Sequence, residues 1–132
     1  MIILINTRLK TSKKTEQYLD ELQNVLGLST KAAIARIAIG LSLNSNNNPL
    51  EDSRFNGSDQ TGFEFQRQTL FGEHDSLYKA LMTQVLGKEL TDEEFFPRMV
   101  YCHLEQGVHL LASEYKHHGN RSKLYTYLLN QC

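Results

Sequence analysis

Hydrophobic positions along the chain change period several times, and each change marks an element. Residues 2–10 alternate, with Ile3, Ile5, Thr7 and Leu9 set against Asn6, Arg8 and Lys10, which predicts one short strand with an apolar and a polar to basic face. Thr11-Ser12 then offers an N-cap, and Tyr18, Leu19, Leu22, Val25 and Leu26 recur at three- and four-residue steps up to Gly27, a helix stop. Ser29-Thr30 caps a second helix from Lys31 to about Leu43, with Ala33, Ile34, Ile37, Ala38 and Leu41 on one face. Residues 44–62 are polar and rich in asparagine, which predicts a loop with room for mobility. From Phe63 the pattern resumes through Phe65, Leu70 and Phe71. Leu77, Leu81 and Val85 at helical spacing then predict a buried helix closed by Gly87. Thr91-Asp-Glu-Glu94 has the form of a capping box. Pro97 follows too late for a first turn, so either the main helix starts there or a short turn at 92–96 precedes it. Val100, Leu104, Val108, Leu111 and Tyr115 carry the helix to about His118, Gly119 ends it, and a short helix from Ser122 places Leu124, Tyr127 and Leu128 on the body. The fold class expected is mainly α: an N-terminal strand-helix-helix unit (1–43), a loop (44–62) and a helical part (63–132), in one domain spanning 1–132.

Composition agrees with one globular domain: 132 residues, 40% hydrophobic and 22% charged. No apolar run reaches the ~20 residues of a membrane span, and the run Met1–Ile5 is too short for a signal-peptide core, so a cytoplasmic protein without membrane contact is expected. A net charge of −1 argues by itself against a nucleic-acid binder, but the average conceals an asymmetry. Positions 1–43 hold six basic residues, Arg8, Lys10, Lys13, Lys14, Lys31 and Arg36, against three acidic ones; the remainder holds eight basic and twelve acidic. These six are the candidate DNA-binding residues. A lone strand must also find a ladder, because unpaired buried backbone groups are costly. Pairing with its copy in a second subunit would make a ribbon-helix-helix arrangement, with Asn6, Arg8 and Lys10 on the ribbon face and Ser29, Thr30 and Lys31 at a phosphate-facing helix end. The same strand could instead be an arm packed on its own subunit.

Three blocks carry a family resemblance. Arg8-Leu-Lys-Thr-Ser-Lys13 with Gly27-Leu-Ser-Thr30 and Ile37-Ala-Ile-Gly-Leu-Ser-Leu43 forms the first. Gly62-Phe-Glu-Phe-Gln-Arg67 with Thr69-Leu-Phe-Gly-Glu73 and Asp75-Ser-Leu-Tyr78 forms the second, and His103-Leu-Glu-Gln-Gly-Val-His-Leu-Leu111 the third. Together they resemble the DndE family of the bacterial DNA phosphorothioation system, over nearly the whole chain except the asparagine-rich loop and the segment after about Gly119. The resemblance implies an accessory protein, not the sulfur-transfer enzyme: a homo-oligomer, specifically a tetramer, that binds duplex DNA, nicked duplex above all, through surface lysines with little sequence preference, and that works beside other Dnd proteins. Lysine contacts to phosphates position a protein without reading bases. Two other functions fit the same residues: a sequence-specific ribbon-helix-helix repressor, and an assembly module for the other Dnd subunits whose DNA affinity is incidental.

Catalytic and cofactor chemistry finds little support. Glu64 and Arg67 would share a helix face and pair across the subunit or with Glu73, which reads as a buried ion pair fixing the fold or the oligomer before a catalytic carboxylate. Glu73-His74-Asp75 point to different sides of a helix and do not converge on a metal, and His103 and His109 face apart. His117-His118 suit a helix C-terminus. Gly57, Gly62 and Gly72 form no phosphate loop. Cys102, among apolar neighbours, reads as an inert thiol, and Cys132 as an exposed one. The expectation is a protein with no cofactor, no metal and no active site; a nick-processing hydrolase is the least favoured class.

Overall fold

The computed structural model describes residues 7–131, so most of the expected 2–10 strand, including Asn6, lies outside the described residues, as does Cys132. In chain order the elements are β1 (Arg8–Lys10), α1 (Lys13–Leu26), α2 (Lys31–Asn44), β2 (Glu64–Gln66), α3 (Arg67–Phe71), α4 (Asp75–Leu86), α5 (Val100–His118) and α6 (Arg121–Leu129). The architecture is mainly α with a short sheet near the N-terminus, as the pattern predicts. Most helix ends fall where the local chemistry puts them. Ser12 Oγ accepts the Thr15 N–H and Thr30 Oγ1 the Ala33 N–H, each at 3.1 Å, and Gly27, Gly87 and Gly119 end α1, α4 and α5 in the left-handed conformation.

β1 pairs within its own chain. It runs antiparallel to β2 with Leu9 opposite Phe65, both buried, and with Arg8 opposite Gln66 and Lys10 opposite Glu64 on the outer face. Backbone bonds extend the pairing at both ends: Arg67 N–H to Thr7 O (2.8 Å), Thr11 N–H to Phe63 O (2.9 Å) and Gly62 N–H to Thr11 O (2.8 Å). Gly62 is required there, since a Cβ would sit 2.1 Å from Ser12 O. The premise of a lone strand is therefore corrected: the described part of β1 finds its ladder in β2 of its own chain, as an arm packed on its own subunit would. The signal for β2 is only three residues long, which is why 64–67 read as helix.

Core packing is built around α5, on which every residue from Val100 to Val108 is buried. Ile34, Ala35, Ala38 and Ile39 of α2 lie against it, and the crossing is so close that a Cβ on Gly107 would fall 1.9 Å from Ala38 O. The helix leading into α5 keeps its capping box: Thr91 Oγ1 accepts the Glu94 N–H (3.1 Å) and Glu94 Oε1 accepts the Thr91 N–H (2.9 Å). Pro97 neither starts the helix nor breaks it. Glu94–Met99 widens into a π-turn, which relieves the clash a proline ring makes with an α-helical carbonyl.

Two further expectations change. The 44–62 loop carries short 3-10 turns at Pro49–Glu51 and Ser53–Phe55 and is pinned to α5 by buried Phe55, by Gln106 Nε2 donating to Asn47 O (3.1 Å) and by the Tyr101 hydroxyl donating to Asp59 O (2.8 Å). On α4, Leu77, Leu81 and Val85 are exposed, at 55%, 39% and 49%, whereas Met82 is the residue that enters the core. The period identified a helix there, but the expected burial is corrected: the Leu77-Leu81-Val85 stripe faces outward in this chain.

A polar bridge also crosses the core. Gln106 Nε2 donates to Ser42 Oγ and Ser42 Oγ contacts His103 Nδ1, both at 2.8 Å, so the serine hydroxyl donates to a neutral imidazole. Burial pushes the His103 pKa down to about 4. The unfolded chain takes up a proton on this ring near pH 6.5 that the folded chain refuses until about pH 4. The associated stability is thus complete above pH 6.5 and is lost as the pH falls toward 4. Urea unfolding at pH 7 and pH 4.5 is expected to show a loss of about 2–3 kcal/mol, much of which His103→Gln abolishes; equal pH dependence in the two proteins would refute the assignment.

Candidate nucleic-acid interface

The six basic residues singled out in the sequence divide into two groups. Arg8 and Lys10 stand on the outer face of β1, and Lys13 and Lys14 in the first turn of α1, all four exposed. Arg8 lies 4.0 Å from Glu64, and Lys13 Nζ lies 3.1 Å from Glu16 in an exposed pair that salt screens readily. Lys31 and Arg36 turn inward instead. Lys31 Nζ is 3.1 Å from both Asp20 and Gln23 and sits over the Phe63 ring, which fastens α2 to α1 and to the segment before β2. Arg36 Nη1 donates to the carbonyls of Leu70 (3.2 Å) and Thr69 (3.4 Å) in the last turn of α3.

Folding adds a residue that spacing along the chain cannot reveal. Tyr18, one turn below Lys14, has the Lys14 ammonium 5.1 Å from its ring centroid and that of Lys116, from the end of α5, at 5.8 Å. The ring meets His109 edge-on at 5.1 Å, which fixes it between α1 and α5. Lys116 is thereby brought to the Lys14 side of the molecule by the α1–α5 contact.

The N-terminal ends of α1 and α2 both carry partners from this chain. At α1 the Lys13 N–H already donates to Asp59 Oδ2 at 3.1 Å. Hydrogen bonds from the Thr61 hydroxyl and from the Lys13 and Thr61 amides hold the Asp59 carboxyl below the usual range, so it stays an anion there. At α2 the cap is Thr30 itself, and Lys31 is engaged by Asp20.

The acidic and thiol candidates have structural partners. Arg67 is buried, and its guanidinium binds Asp75 Oδ2 and Oδ1 at 2.6 and 2.8 Å and Asp92 Oδ1 and Oδ2 at 2.8 and 3.1 Å, with the faces of Phe95 and Phe96 beside it. The first of these contacts, the one with Asp75, raises the guanidinium pKa most. The expected pairing with Glu64 or Glu73 is therefore corrected: Glu64 faces Arg8, and Glu73 approaches His74, at 3.7 Å. Asp75 belongs to Arg67, and no cluster of three His, Cys, Asp or Glu residues suited to a metal occurs among the described residues. The Cys102 thiol is pushed up to about 11 by burial and donates to Phe55 O at 3.3 Å, which keeps it protonated.

The arrangement matches known proteins. A search of curated proteins finds no match. Among solved structures, the crystal structure of DndE from Escherichia coli B7A, described as involved in DNA phosphorothioation modification, superposes with a TM-score of 0.59 at 21% identity, covering 80% of this chain and 97% of that one. A glycine-to-lysine mutant of DndE gives 0.58 at 21% identity, with 80% and 96% covered, and these likenesses show a shared fold. The family model for DNA sulphur modification protein DndE matches residues 8–119, from β1 through the end of α5, and leaves α6 outside. By that match, the chain belongs to the DndE family.

Proposed function

We propose that this chain is a DNA-binding accessory protein of DNA phosphorothioation, active in the cytoplasm as a homo-oligomer and not itself an enzyme. It holds the backbone of duplex DNA, nicked duplex included, through Arg8, Lys10, Lys13 and Lys14, with Lys116 alongside. The observation that carries this reading is the exposure of four cationic side chains within seven residues of a chain whose net charge is −1. Flexible ammonium groups meet phosphates without reading bases, and Asp59 at the α1 N-terminus leaves that work to side chains. Lys31 and Arg36 serve the fold and contribute little. Since β1 is bonded to β2, its outer face is shared with Glu64 and Gln66, a poor match to a base-reading ribbon.

The test is fluorescence anisotropy with intact duplex, nicked duplex and single strand at two salt concentrations. The Lys13→Glu/Lys14→Glu variant is expected to bind at least about tenfold more weakly and to lose roughly 0.9 from the log–log salt slope for each phosphate contact removed. Wild-type protein that fails to bind at low salt would overturn the reading.

A second reading has its own support, the exposed Leu77, Leu81 and Val85 stripe on α4, which suits an assembly surface for another copy or for other Dnd proteins. DNA modification that survives the Lys13→Glu/Lys14→Glu change but not Leu81→Asp would favour it.

A further inference from the structure

The basic surface leaves unused a cleft of about 210 Å³ between the segment around Asn56–Gln60 and the π-turn leading into α5. Leu50, Phe55 and Pro97 form its apolar walls, and Asn56, Gln60, Arg98 and Tyr101 bring polar atoms to it. None of the nine lining residues is acidic, in a chain where acidic residues outnumber basic ones by fifteen to fourteen.

Hydrogen-bond accounting gives the cleft a surplus of donors. Asn56 Oδ1 is occupied by the Ser58 N–H at 2.9 Å, so the group left to Asn56 is its NH₂. Gln60 Nε2 uses one proton on Gly57 O at 3.1 Å and retains the other. The Tyr101 hydroxyl proton is committed to Asp59 O at 2.8 Å. Arg98 is exposed and has no carboxylate partner among the described residues. Its positive charge is felt at Cys102, where it opposes the effect of burial on the thiol. The π-turn that admits Pro97 also sets Arg98 at this cleft, and such turns recur at functional sites.

We propose that this cleft binds the terminal oxyanion of a phosphate monoester. A guanidinium with amide donors suits oxygens that accept several hydrogen bonds, and a monoester carries close to two negative charges at neutral pH, where a backbone diester carries one. The volume lies below the roughly 300–1,000 Å³ of sites that enclose drug-sized ligands, so the cleft takes a group and not a whole nucleotide. The same terminal phosphate chemistry has two sources: free inorganic phosphate, or the 5′-phosphate monoester at a strand break. The second source rests on the DNA-binding reading above.

Two measurements on the full chain separate these. In the first, inorganic phosphate is titrated while the amide resonance of Gly57 and the Nε–H resonance of Arg98 are followed by NMR, with chloride at matched ionic strength as control. Saturable shifts with phosphate and not chloride, abolished by Arg98→Ala in the Gly57 signal and partly kept by Arg98→Lys, support the cleft even if the protein binds no DNA. In the second, nicked duplexes carrying a 5′-phosphate or a 5′-hydroxyl are compared. A preference of about tenfold for the phosphorylated nick, reduced to near one by Arg98→Ala, identifies the strand end as the source. Phosphate shifts without that preference assign the cleft to free phosphate. Equal responses to phosphate and chloride, together with equal affinity for the two nicks, would overturn the proposal.

Discussion

Replacing Gly107 by alanine is expected to lower the melting temperature by at least about 10 °C or to abolish soluble expression. The added Cβ would lie 1.9 Å from Ala38 O, and the obstacle is helix backbone, which cannot swing away as a side chain can. Relief requires α2 and α5 to separate along their whole contact, loosening Ile34, Ile39, Leu104 and Val108, all of them fully buried. A cost of about 3 kcal/mol or more follows, at the upper end of overpacking effects, which at this size corresponds to a shift of several degrees per kcal/mol. Gly40 supplies the control. It lies on the same helix as Ala38, yet a Cβ there would meet nothing within 4 Å. Gly40→Ala is therefore expected to be neutral or to stabilise by about 0.5–1 kcal/mol through helix propensity. Thermal melts of the two variants decide the matter, and a Gly107→Ala protein that melts within a few degrees of wild type would disprove the close crossing.

Arg67→Ala is the second large effect. It removes the cation that Asp75 and Asp92 share, leaving two partly buried carboxylates without it, and strips the guanidinium from the faces of Phe95 and Phe96. Breaking a buried pair on one side costs about 3–5 kcal/mol, because the remaining charge is left uncompensated. Arg67→Lys is expected to recover little, since a point charge cannot make two bidentate pairs at once. Arg67→Met combined with Asp75→Asn and Asp92→Asn is expected to recover a substantial part, because it removes the stranded charges too. Urea unfolding measures all three. A loss below about 1 kcal/mol in Arg67→Ala would show that the cluster is not coupled to the fold.

Features decided within a few residues were legible in the sequence. Ser12, Gly27, Thr30, the Thr91–Glu94 box and Gly119 each act on their immediate neighbours, and each was found where its chemistry put it. Features decided by distant partners were not. Arg67 was recognisable as a buried-pair candidate, but its partners stand 8 and 25 positions away, and helical spacing pointed to the wrong carboxylates. Lys31 and Arg36 looked like the other cations of the N-terminal third until Asp20, Phe63 and the α3 carbonyls claimed them. Lys116 was invisible as a neighbour of Lys14, because only the packing of α1 on α5 joins them at Tyr18. Arg98 was obscured for another reason: Pro97 signalled a helix boundary, and the π-turn that resolves it can be read only from the backbone path.

Pairing β1 with β2 inside one chain sets the order in which a newly made molecule can mature. Leu9 waits for Phe65, and the apolar face of α2 waits for α5, whose residues lie more than sixty positions further along. Until the ribosome has released the region around Phe65 the strand has no ladder, and until it has released the region around Gly107 α2 has no surface to bury against. Native structure must then come late and through contacts of long sequence separation, a topology that slows folding and prolongs exposure of Ile34 and Ile39 to other nascent chains.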